Sequence, residues 1–190
     1  MKKHLPLARS DIHVHLTAGH VEELFGPGHR LTLERELTIP GQFAALERVT
    51  VQGPEGSIRD VIPVGPERAA TQVEISRSNG LALGIVPPVR LSGDIEGTPG
   101  CVLVGPEGAV VLERGVIAAA RHIHMHPRDA AEFGVGDGDR VRIRVAGERG
   151  VVFENVTVKV SPDFALEMHI DFDEGFAAGV EDFQLVELLR

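Results

Sequence analysis

Polar and apolar residues alternate in four short stretches of this chain, with the two-residue period of a β-strand. They are His-Val-His-Leu from His13, Gln-Val-Glu-Ile from Gln72, His-Ile-His-Met from His122 and Glu-Met-His-Ile from Glu167. In a strand the two polar side chains of each stretch point to one face. A turn and an Ala- or Leu-bearing helical stretch follow each one, ending at Gly26, Gly84, Gly134 and Gly179. The last three glycines lie ten residues beyond Glu74, His124 and His169. Those residues are equivalent points of a repeated unit, with His15 their near counterpart. Thr17 is placed to cap the first helix, and Pro127 with Asp129 marks the first turn of the helix after His124.

A longer repeat surrounds these units. Val49-Thr-Val-Gln-Gly-Pro-Glu-Gly56 leads to the Glu74 unit, and Cys101-Val-Leu-Val-Gly-Pro-Glu-Gly108 leads to the His124 unit. Each Gly-Pro-Glu-Gly reads as a turn between strands. The runs Val141 to Val145 and Val156 to Val160 alternate like half-buried strands. The fold class expected is mainly β: duplicated small β-barrel domains, each capped by short α-helices. Closure removes the free edges that many short strands would leave. The junction is expected between Leu91 and Gly100. That gives a first barrel over 11–98 and a second over 99–190, with strand exchange across the boundary allowed for. Gln184 to Arg190 reads equally as strand or helix.

Composition narrows the function. The 190 residues can bury a core, and 22 Gly with 12 Pro favour strands and turns over long helices. Trp and Tyr are absent, so Phe and aliphatic side chains fill the interior. A net charge of −9 speaks against nucleic acid as a partner. No stretch has membrane-spanning length, and the N-terminus lacks the apolar run of a signal peptide. Cys101 has no second cysteine to pair with and starts an apolar strand, which fits a buried thiol in a reducing, cytoplasmic setting. A homodimer is expected from common symmetry.

Zinc takes imidazole nitrogen and carboxylate oxygen, and a catalytic zinc keeps three protein ligands and one open position. His13, His15 and Glu74 make one such set, and His122, His124 and His169 another. His4, His20 and His29 read as solvated; His126, before Pro127, reads as a helix cap or an outer partner of the metal ligands. Arg68 lies six residues before Glu74, near enough to serve the first set, or else forms a surface ion pair. Arg77 and Arg121 share that ambiguity. The helical His-Glu-x-x-His motif, a Cys-x-x-Cys pair and a P-loop are all absent.

The chain resembles the phosphate propanoyltransferases, the phosphotransacylases of propanediol-type bacterial microcompartments. The resemblance is carried by Ala119-Ala-Arg-His-Ile-His-Met125, Leu166-Glu-Met-His-Ile-Asp171, Pro40-Gly-Gln-Phe-Ala44, Gly65-Pro-Glu-Arg68, Gln72-Val-Glu-Ile-Ser-Arg77 and Arg90-Leu-Ser-Gly-Asp94. It implies two helix-capped β-barrel domains with two zinc ions at their interface. One zinc would sit on His13, His15 and Glu74, the other on His122, His124 and His169, with Arg68 holding inorganic phosphate. The reaction implied is acyl-CoA plus phosphate to acyl phosphate plus coenzyme A. Ser10 carries over as a coenzyme A contact. The sequence departs from the family at Ile12, where arginine is usual, and at Glu55 and Glu107, where lysine is frequent. With about ten residues before the first motif, the microcompartment-targeting extension is absent, so a free cytoplasmic enzyme is expected.

Two other readings compete with this one. A cupin-like metal enzyme would need Glu three or four residues beyond its His-x-His, and neither pair here has one. A non-catalytic zinc-binding module would need four ligands per metal, where three are evident.

Overall fold

The computed structural model describes residues 4–189. The readings that touch Met1 to Lys3 and Arg190 lie outside the described residues. The described chain separates into two compact units.

One unit takes residues up to Ser10, Thr38–Pro40 and everything from Ala120. Its strands are β1 (His4–Ser10), β12 (His122–Met125), β13 (Arg140–Val145), β14 (Val151–Val160), β15 (Glu167–Asp171) and β16 (Leu185–Leu189). They close into a barrel in the order β1-β15-β12-β14-β13-β16, with β16 pairing back onto β1. Alternation dictates the packing: Val141, Ile143 and Val145 of β13 are buried, and Arg140, Arg142 and Arg144 face solvent. Leu5 and Leu7 of β1 join Ile123, Met125, Val158 and Met168 in the barrel core. Helices α3 (Pro127–Phe133) and α4 (Phe172–Ala178) follow β12 and β15, and both end at a left-handed glycine, Gly134 and Gly179. His126 caps α3, its Nδ1 accepting from the Arg128 amide. The segment after Gln184 is a strand.

The other unit holds 11–37 and 41–119. Its strands are β2 (His13–His15), β3 (Leu33–Glu36), β4 (Phe43–Ala45), β5 (Val49–Gln52), β6 (Ser57–Gly65), β7 (Gln72–Glu74), β8 (Val89–Arg90), β9 (Cys101–Val104), β10 (Ala109–Leu112) and β11 (Val116–Ala119). They form a ten-stranded sheet, β10-β9-β5-β6-β2-β7-β11-β8, with β4 and then β3 attached to β6, rather than a second closed cylinder. Thr17 caps α1 (Ala18–Phe25), and Ser76 and Asn79 form a capping box on α2 (Arg77–Leu83). Val14, Leu24, Val51, Val73, Leu83 and Leu103 belong to one buried cluster.

The repeat is realised inside this sheet. The β5–β6 turn at Gly53–Gly56 lies on the end of α2, where the Glu55 amide donates to Leu83 O at 3.1 Å. The β9–β10 turn at Gly105–Gly108 lies on the end of α1, where the Glu107 amide donates to Leu24 O at 3.0 Å. The approach is too close for a side chain: a Cβ would meet Leu83 O at 2.1 Å from Gly53 and Leu24 O at 2.3 Å from Gly105.

The units therefore depart from the expected 11–98 and 99–190 halves. Strand β9 pairs with β5 and β11 runs parallel to β7, which holds 101–119 in the first sheet. Strand β1 lies between β15 and β16, which places residues 4–10 in the barrel. Nor is the stretch 91–100 a linker. Thr98 is buried, its Oγ1 accepts from the Gly115 amide at 2.9 Å, and Pro99 O accepts from the Val116 amide at 2.9 Å.

Candidate metal centres

Both candidate ligand sets are built by one device, an antiparallel strand pair that brings alternate residues opposite one another. Residues directly opposite in such a pair have side chains on the same face, about 5 Å apart at Cβ. Between β2 and β7 the register sets His13 opposite Glu74 and His15 opposite Gln72. Val14 and Val73, on the other face, are fully buried and lock the register. His13 Nε2 lies 3.6 Å from Glu74 Oε2, and His15 Nε2 lies 3.7 Å from Glu74 Oε1. One donor atom each from His13, His15 and Glu74 falls within 4.8 Å of the others.

Backbone carbonyls fix which nitrogens are available. His13 Nδ1 is 2.8 Å from Asp11 O and His15 Nδ1 is 3.2 Å from Val64 O. A carbonyl only accepts, so each Nδ1 carries the proton and each Nε2 presents a lone pair. Burial, with His13 and Arg68 adding to it against Glu74, pushes the His15 imidazole down to about 4. The ring is thus neutral at neutral pH, as a metal ligand must be.

Arg68 stands beside this set. Its amide donates to Leu16 O at 2.8 Å, and its guanidinium donates from Nη1 to Ser92 Oγ at 3.1 Å. Burial lowers its pKa while the Glu74 charge raises it. Ser92 Oγ also accepts from Gln72 Nε2 at 2.9 Å, and that same nitrogen donates to Glu74 Oε1 at 2.7 Å. The Gly93 amide donates to Gln72 Oε1 at 2.7 Å. A chain of hydrogen bonds therefore runs from the Arg68 guanidinium to the Glu74 carboxylate.

The second set sits on β12 and β15, with His122 opposite His169 and His124 opposite Glu167. His122 Nδ1 is 2.8 Å from Ala120 O, the same bond to a carbonyl two residues upstream that His13 makes. The ring centroids of His124 lie 4.6 Å from His122 and 4.9 Å from His169. Again one donor atom per residue falls within 4.8 Å of the others. Glu167 is 2% exposed, and its Oε2 lies 2.8 Å from His169 Nε2. Phe164 covers His124, ring to ring at 4.4 Å.

All six expected ligands are thus gathered, three in each unit. Two imidazoles with a carboxylate, and three imidazoles, are donor sets that zinc accepts. Sequence reasoning passed over Gln72 and Glu167, although both occupy the first polar position of their alternating stretches. Ser92 and Phe164 had no comparable signal. Arg77 is exposed at the start of α2. Arg121 donates from Nε to Glu174 Oε1 at 2.6 Å and lies over the Phe153 ring, a structural ion pair. Ser10 ends β1 opposite Asp171. Two histidines read as solvated have partners: His20 with Thr71 Oγ1 at 2.7 Å and His29 with Glu47 Oε1 at 2.7 Å.

Known proteins share this sequence closely. A model of the phosphate propanoyltransferase family matches residues 6–181. The chain is similar to a phosphate propanoyltransferase of Thermotoga maritima, 52% identical over 182 residues that cover 95% of this chain and 87% of that protein. It is 47% identical over 186 residues to one of Rhodobacter capsulatus, covering 98% and 86% respectively. With one of Salmonella typhimurium it shares 48% identity over 179 residues, covering 94% and 85%.

Proposed function

The chain belongs to the phosphate propanoyltransferase family, a family of acyltransferases, and on that premise we propose that it moves a short acyl group reversibly between coenzyme A and inorganic phosphate using zinc. A phosphate oxygen attacks the thioester carbonyl carbon. The new C–O bond forms as the C–S bond breaks, and the thiolate leaves as coenzyme A. Propanoyl-CoA and acetyl-CoA are the substrates proposed.

His13, His15 and Glu74 would hold one zinc ion, and His122, His124 and His169 the other. Zinc bound there would supply a Lewis acid that polarises the thioester carbonyl or stabilises the departing thiolate. Arg68 binds phosphate through its planar fork of donors. Ser92 holds that fork in place, and Gln72 fixes Glu74 in the same network. Ser10 is proposed as a contact to coenzyme A. No protein nucleophile is needed: burial pushes the Cys101 thiol up to about 12, far from a reactive thiolate. An unpaired, buried thiol also suits a reducing cytoplasm.

The observation that carries this reading is the convergence of three zinc-class donors on each of two strand pairs, in a chain of this family. The test is release of free thiol from propanoyl-CoA by zinc-loaded protein, with and without phosphate. Release should require phosphate, stop on metal removal, and fall at least tenfold in Arg68→Ala at low phosphate. Release independent of phosphate would make the protein a thioesterase and overturn the proposal.

A further inference from the structure

The two centres are not copies of each other, and the difference lies in the fourth residue of each set. Gln72 and Glu167 occupy the same place, opposite the second histidine of the facing strand and two residues before the third ligand. Gln72 is fully engaged: its Nε2 donates to Glu74 and Ser92, and its Oε1 accepts from the Gly93 amide. Glu167 is engaged at one oxygen only. Its Oε2 meets His169 Nε2, while its Oε1, fully buried, has no hydrogen-bond partner among the described residues.

A carboxylate taken out of water needs a donor or a cation at each oxygen, and leaving one bare is costly. Charge counting points to what fills the gap. Among its ligands and Gln72 the first set holds one carboxylate, Glu74, with the Arg68 guanidinium beyond them at Ser92. The second set has three imidazoles as its ligands and no charge of its own until Glu167 is counted. With Glu167 the three ligands and fourth residue of each set carry one carboxylate towards a divalent cation, at the third ligand in one and at the fourth position in the other.

We propose that Glu167 is the charge-balancing carboxylate of the three-histidine centre, a positioning residue that holds His169 and the divalent cation together, as Gln72 cannot in the other centre. The inference rests on the zinc reading of His122, His124 and His169. Carboxylates that orient metal-binding histidines typically contribute about 10–100-fold to metal affinity, which sets the size of the effect to look for.

The experiment isolates this centre in the full chain by replacing the first set's ligands, His13→Ala with His15→Ala. Zinc affinity is then measured by competition with a chromophoric chelator, with and without Glu167→Gln. We expect Glu167→Gln to weaken zinc at least tenfold and to change the visible absorption of the cobalt(II)-substituted centre. Glu167→Asp, which keeps the charge, should recover part of the loss. The metal-free thermal midpoint should not fall in Glu167→Gln, because the amide removes a buried charge. Unchanged zinc affinity and cobalt spectrum would overturn the inference, as would a lowered metal-free midpoint accompanied by unchanged affinity. If the background protein with Glu167 intact binds no zinc, the zinc reading of this centre falls as well, a result distinct from the other two.

Discussion

At the scale of single residues, His15 sets the behaviour of the first centre towards acid. Its folded pKa, about 4, lies well below the ordinary value near 6.5, chiefly because the ring is buried. Between those two values the unfolded chain binds a proton that the native state refuses. The contribution of His15 to stability is therefore fully present above about pH 6.5 and is lost as pH falls towards 4. The slope for one such proton is at most about 1.4 kcal/mol per pH unit. We predict that the thermal midpoint of the metal-free protein drops between pH 6.5 and 4.5, and that His15→Asn flattens the drop. A midpoint equally steep in both proteins would assign the acid sensitivity to other groups. The grouping of the six candidate donors was legible in the sequence because alternation put the members of each pair on one strand face. Ser92 was not, because nothing in Leu91-Ser92-Gly93 announces that its hydroxyl reaches back to Arg68 and Gln72.

At the scale of elements, strands and caps could be read from local chemistry, but the partners of the turns could not. Thr17 and the glycines after the helices stand where the pattern put them, since capping depends on a few neighbouring residues. Which helix each Gly-Pro-Glu-Gly turn covers depends on how the sheet folds: 53–56 lies on α2, the helix of the unit it leads to, whereas 105–108 lies on α1 rather than on α3. Two predictions follow from that packing. Gly105→Ala drives a Cβ into Leu24 O, and overpacking of this kind costs about 1–3 kcal/mol. Urea denaturation of Gly105→Ala should therefore show a clearly lowered midpoint, whereas Gly28→Ala, with nothing within 4 Å of the new Cβ, meets only backbone strain. The second concerns charge. Glu55 lies against Gly84 at the end of α2, where the helix dipole is negative and an acidic side chain is unfavourable. Glu55→Lys should stabilise the protein by about 0.3–1 kcal/mol, an effect that shrinks as salt is added. Destabilisation, or a gain indifferent to salt, would contradict it.

At the scale of the whole molecule, the repeat in the sequence suggested two consecutive domains, yet the chain is not cut where the repeat is. The similar Val49–Gly56 and Cys101–Gly108 segments are neighbours in one sheet, joined by the antiparallel β5–β9 pair. Sequence similarity reports which segments have the same shape, not which of them pair, and pairing is a long-range choice. The first strand makes the point most strongly. Leu5 and Leu7 are fully buried in a barrel whose other strands begin more than a hundred residues later, at His122. A fragment of residues 99–190 would therefore leave the edges of β15 and β16 unpaired and carry β9 without β5, and β11 without β7 and β8. Unpaired edges and bare apolar strands favour aggregation over folding. Residues 120–189 followed by a short glycine-rich linker and residues 4–10 should do better. Strand β16 runs antiparallel to β1, with Glu187 opposite His4, so a hairpin turn can join them. We predict dispersed amide resonances and a cooperative thermal transition for this rearranged fragment, and neither for 99–190. Cooperative folding of 99–190 alone would mean that the barrel closes without its first strand. The crossing of residues 4–10 into the barrel would then be an accessory to the fold rather than a condition of it.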